Sequence, residues 1–139
     1  MVEHVAQVYQ HAVLGLSIAA SHGILFFLDL EWNHMIFNAL YFVLLAVVFV
    51  KCRFYETHGA VGEKPLACIA FYAGFLIQGY HVIEHSVRMV QFFQRGCTPC
   101  PGILGYLFDG VYLHAAFNTL VYVLPLIAFL SYGFQHRLR

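Results

Sequence analysis

The sequence predicts an all-α integral membrane protein, a four-helix bundle whose spans run up-down-up-down. Two observations carry that prediction. The 139 residues are 61% hydrophobic and only 10% charged, with a mean hydropathy of +0.73, where a soluble domain carries about 25% charged residues. Four apolar stretches approach the roughly 20 residues needed to cross a hydrocarbon core about 30 Å thick. Within lipid every backbone polar group must be satisfied inside its own span, and that selects helices.

The first stretch runs from about Val8 to Leu28, giving a predicted helix over 8–28. The N-terminal segment lacks a basic leader and a small-residue cleavage site, so this first span is expected to direct insertion. The second predicted helix, 34–50, is the shortest and needs Trp32 as an interfacial anchor. The third covers 65–87. The fourth covers 111–130 and contains Pro125, which predicts a kink. Together they form one transmembrane domain.

Orientation follows from the basic residues. Lys51, Arg53 and Lys64 lie between helices two and three, and Arg137 and Arg139 at the C-terminus, whereas the opposite face carries only Arg88 and Arg95. The positive-inside rule then makes both termini and the central loop cytoplasmic, and the expected location is a prokaryotic plasma membrane. Zero net charge indicates no nucleic-acid partner. The expected partners are the lipid bilayer itself and either other membrane subunits or a second copy of the chain.

On this topology His4, His58 and His136 fall in cytoplasmic segments, with His11 near the inner end of helix one. The remaining histidines, His22, His34, His81, His85 and His114, share one outer layer with Asp29, Glu31, Asn38, Glu84, Asp109 and Asn118. A charge at the centre of a bilayer costs about 2.5–3.5 kcal/mol on insertion scales, so a shared polar layer is a functional-site hypothesis by default.

The densest part of that layer is "YHVIEHSVRM", residues 80–89. On a helix His81, Glu84, His85 and Arg88 fall within an arc of roughly 100° and face the bundle interior. Two imidazoles at i and i+4 offer two ligands to one metal ion. Glu84 can be a third ligand, a catalytic general base beside a metal-bound water, or the acceptor that orients an imidazole. Arg88 is placed to neutralise Glu84. The competing reading is a polar cluster that binds helices together, at about 0.6 kcal/mol per hydrogen bond.

An echo links the two halves. "DLEWNHMIFNAL" (29–40) and "DGVYLHAAFNTL" (109–120) share Asp-x4-His-x2-Phe-Asn-x-Leu at a constant offset of 80, and "GILFFLD" and "GILGYLFD" precede or overlap them. That predicts two parallel two-helix repeats related by an axis along the membrane normal. The odd-numbered helices align poorly; by depth, His22 matches His81. The predicted metal ligands are therefore His81, Glu84, His85, Asp109, His114 and Asn118, with a second site drawn from His22, Asp29, His34 and Asn38. The aspartates are equally accounted for as helix N-caps. Imidazole and carboxylate together suit copper, zinc or iron. A b-type haem between facing histidines is the rival ligand.

Cys97 and Cys100, in "GCTPCPG", lie in the outer loop and can form a short disulfide, capture a metal or do redox chemistry. Membrane thiol oxidoreductases that feed electrons to quinone need a second cysteine pair on the same face; here Cys52 and Cys68 lie on the other. Gly15, Gly74 and Gly79 are expected to mark close helix contacts. The functional expectation is a membrane protein holding a transition metal near the extracytoplasmic face, as a small subunit or accessory of a membrane oxidoreductase. The alternatives are a stand-alone metal-dependent membrane enzyme, a haem b electron carrier, and a purely structural subunit.

Overall fold

A computed structural model describes residues 2–25, 31–51 and 65–132. The described residues are helical with connecting turns and contain no strand. Four α-helices follow one another: α1 (Val2–Ala12), α2 (Glu31–Lys51), α3 (Pro65–Arg95) and α4 (Gly110–Tyr132). Single 3-10 turns lie at Ile18–Ala20 and Leu104–Tyr106. Three helices, α2, α3 and α4, are long and apolar enough to cross a membrane.

The first predicted span is corrected. The helix occupies Val2–Ala12, and the described residues after it are not α-helical up to residue 25. Two glycines break it: Gly15 and Gly23 take positive φ values of 67° and 75°, a region other residues rarely adopt. Hydropathy averaged over 8–28 registers the greasy side chains and is blind to those backbone signals. Gly15 is accordingly a helix-ending residue, with nothing within 4 Å of where a β-carbon would sit, and not a helix-packing one. The third helix overruns its predicted end, because Arg88 through Arg95 continue it without a breaker until Gly96. At 31 residues it is about 46 Å long at 1.5 Å per residue, more than a hydrocarbon core requires.

Helix α3 is the central element: it packs against both α2 and α4, and α1 lies on α4. Gly74 marks the tightest approach, since a β-carbon there would sit 2.8 Å from Pro125 Cδ. Gly79 faces the Phe42 ring at ordinary contact distance. Towards the end of α3 that carries Pro65, Leu45, Ala70, Phe71 and Ala128 form an apolar core, extended by Tyr41, Phe49, Phe75 and Leu124. Phe42 and Phe49 stack on Phe75 at 5.0 and 5.4 Å.

Towards the other end the interior turns polar. Gln78, His81, Glu84 and His85 are among the largest fully buried side chains, whereas Ile36, Phe37, Leu40, Val43 and Leu44 of α2 are exposed. A soluble fold has the reverse distribution. The loop from Gly96 to Asp109 folds back over this polar end, closed by a Cys97–Cys100 disulfide. Of the residues singled out in the sequence, Asp29, Cys52, Arg53, His58, Lys64, His136, Arg137 and Arg139 lie outside the described residues.

Candidate metal centre

Glycine and a carboxylate build the site's frame, and they do so twice. Gly102 takes φ 71°, and its missing β-carbon makes room for the Glu84 carboxylate. Glu84 Oε1 accepts from the backbone N–H groups of Ile103 and Leu104 at 2.9 and 3.2 Å. Gln91 clasps Gly102 from both sides, accepting from its N–H at 2.8 Å and donating to its carbonyl at 3.0 Å. In the first half Gly23 makes the same room for Glu3, whose Oε1 accepts from Leu25 N–H at 2.8 Å. Gln10 clasps Gly23 with the same two bonds, at 2.8 and 2.9 Å.

The repeat therefore has a register that depth alone did not reveal. Glu3-His4-x5-Gln10 corresponds to Glu84-His85-x5-Gln91, so His85 pairs with His4, and the match of His22 with His81 is corrected. Hydrophobic depth misassigned it because α1 is short and lies along α4 from its first turn to its last. His4 Nε2 meets Asn118 Nδ2 at 3.0 Å, and His11 Nε2 meets Asp109 Oδ2 at 3.0 Å. Neither histidine sits at the far end of the fold, where an 8–28 span would have placed them. Asn38 and Asn118 also behave alike, each donating to the carbonyl four residues back, His34 at 2.8 Å and His114 at 2.9 Å.

Five imidazoles converge inside this frame. His81 and His85, one turn apart on α3, bring their Nε2 atoms to 3.1 Å. That is the separation of two nitrogens each about 2.1 Å from one ion at an angle of about 95°. His114 joins them: one ligand atom from each of His81, His85 and His114 lies within 4.8 Å of the others. His4, His34 and His114 satisfy the same test. The Nδ1 atoms of His4, His81 and His85 are buried and have no hydrogen-bond partner. His81 is instead oriented by stacking on Phe117, at 4.9 Å and 12°.

The predicted carboxylate ligands are engaged elsewhere. Glu84 binds the loop amides and belongs to neither converging triad. Asp109 caps α4, accepting from Val111 N–H at 2.9 Å, and pairs with His11. Asn118 bonds His4 and the His114 carbonyl. Asn38 is held by Gln78, whose Nε2 donates to its carbonyl at 2.9 Å and its Oδ1 at 3.1 Å. His22 lines a small cleft with Gln7, Glu31, His34, Arg88 and His114, without joining either triad. Arg88 does not neutralise Glu84. Its guanidinium donates to the Cys100 carbonyl and to His114 Nε2, and Nε lies 3.9 Å from Glu31.

Two groups outside the long helices titrate abnormally. Burial, then the neighbouring His34 imidazole, pulls His4 down to about 4, so it is neutral at pH 7. His11 is raised, first by the Leu16 carbonyl and also by Asp109. The geometry gives the reason: Nδ1 lies 2.7 Å from the Leu16 oxygen and Nε2 lies 3.0 Å from the carboxylate, so two acceptors face two ring nitrogens and the imidazolium satisfies both.

His4, Arg88 and Gln78 are the residues that sequence reasoning missed or misassigned. The recurrence of Glu-His-x5-Gln was the signal that could have located His4. Comparison with protein-family models, curated proteins and solved structures gave no match.

Proposed function

We propose that this chain is an integral membrane protein, a four-helix bundle, that holds a transition metal ion among imidazoles near the extracytoplasmic face. The observation that carries the reading is the convergence of His81, His85 and His114, the first two fully buried, with one ligand atom of each within 4.8 Å of the others. Membrane insertion is supported by three apolar helices of spanning length and by large apolar side chains exposed along α2 beside a buried polar cluster on α3. Lys51, at the opposite end of α2 from His34, supports the extracytoplasmic assignment under the positive-inside rule.

Neutral imidazoles suit copper, zinc or iron. Arg88 favours the ion of lowest charge, cuprous copper, because repulsion by the guanidinium scales with ionic charge. A redox-active ion requires a partner that supplies and removes electrons. The role assigned is therefore a subunit or accessory of a membrane oxidoreductase rather than a free-standing enzyme.

Elemental analysis of protein purified in detergent without chelators tests this. The expected result is one metal ion per chain, lost in His114→Ala with helicity retained. Metal-free wild-type protein would overturn the reading in favour of helix cementing, and a Soret band would replace it with haem.

A further inference from the structure

The internal repeat duplicates more than the backbone frame. Exchanging His4 with His85 and His34 with His114 maps the ring contacts onto one another. The His4–His114 pair is stacked at 6.3 Å and 7°, and its counterpart His85–His34 at 5.4 Å and 12°. The His4–His34 pair is edge-on at 5.7 Å and 88°, and its counterpart His85–His114 at 5.1 Å and 72°. His34 and His114 themselves meet at 5.9 Å.

Resting on the metal-binding reading above, we propose that the chain has a second metal position, His4–His34–His114, which overlaps the first through His114 and is occupied in alternation with it. Four observations support it. One ligand atom of each of these three residues lies within 4.8 Å of the others. The Nδ1 atom of His4 is buried without a hydrogen-bond partner. His4 occupies the place in the first half that His85 occupies in the second, fixed by the matching Glu3 and Gln10 contacts. An open groove of about 370 Å³, lined by His4, His34, Phe37, Asn38, Asn118 and Tyr122, adjoins this triad.

Alternation follows from the shared ring and the nearby charge. The two triads compete for His114, and two cations held this close in a poorly polarisable interior, beside Arg88, would repel strongly. The two positions also differ in access. His81 and His85 are fully buried, whereas His4 and His34 border the groove.

Cuprous-ion stoichiometry, measured on detergent-purified wild type and variants with helicity checked by circular dichroism, tests the proposal. Expected are one ion in wild type, about one in His85→Ala and in His4→Ala, and none in the double variant. Loss of the ion in His85→Ala alone would overturn the second position while leaving the metal-binding reading intact. Two ions in wild type would overturn alternation, and an ion retained by the double variant would overturn both triads. Wild type without metal would remove the metal-binding reading as well. Should His85→Ala fail to fold, His81→Gln makes the same comparison.

Discussion

The imidazole of His4 lies parallel to that of His114, 6.3 Å away and 7° from coplanar orientation, although 110 positions separate them in the chain. The contact exists because α1 is docked on α4 at both of its ends, by His4 on Asn118 and by His11 on Asp109. Deleting one anchor should loosen the other. Asp109→Asn, which weakens the His11 bond, is expected to increase hydrogen exchange at α1 amides while leaving α3 protected; unchanged protection of α1 would show that these anchors contribute little.

The His11 anchor carries a pH dependence. Its pKa is raised in the folded state, so its contribution is fully present below the ordinary histidine value of about 6.5 and fades as pH rises through the folded value. Thermal unfolding of wild type and His11→Gln in detergent should differ at about pH 5.5 and converge by about pH 9. A gap that widens with pH would contradict the two-acceptor geometry.

The two positive-φ glycines under the carboxylates should respond alike. Gly23→Ala and Gly102→Ala place a methyl group in a left-handed conformation and against Glu3 or Glu84. Each is expected to destabilise the fold by about 1–3 kcal/mol. Gly96→Ala, where the backbone is equally unusual but nothing lies within 4 Å, should cost less. Equal losses at all three would mean that the carboxylate cradle is irrelevant to stability.

At Gly74 the expected effect comes from packing. A methyl group would meet Pro125 Cδ at 2.8 Å, so Gly74→Ala should force α3 and α4 apart and cost about 1–3 kcal/mol. Gly79→Ala, against a Phe42 ring 3.4 Å away, should be near neutral. Denaturant titration in detergent would read both, and tolerance of Gly74→Ala would refute the close approach.

Arg88 competes with any cation for His114 Nε2 and repels it as well. Arg88→Gln is therefore expected to tighten metal binding by on the order of tenfold, about 1.4 kcal/mol, measured by competition with a chromogenic chelator. Weaker binding in this variant would mean that the guanidinium holds the site together.

Much of the architecture was legible from side-chain chemistry. Helices α2 and α4 follow from apolar runs that end at charged or turn residues, and the face of α3 bearing His81 and His85 follows from their spacing of four. The first helix was not legible by the same means, because Gly15 and Gly23 act through backbone dihedrals that hydropathy does not register. Glu84 misled for a related reason. A buried carboxylate looks like a ligand until the loop amides of Ile103 and Leu104 are seen to engage it, and those lie 19 and 20 residues away. Asp109 was legible as a cap, which it is; its partner His11 was not, since only the docking of α1 brings the two together.

X-ray absorption at the metal edge of copper-loaded, detergent-purified protein tests the imidazole centre most directly. Three nitrogen neighbours at about 2.0 Å with the outer-shell scattering of imidazole rings are predicted, and that signature should vanish in His114→Ala. A first shell dominated by sulfur, or an imidazole signature unchanged by His114→Ala, would contradict the account.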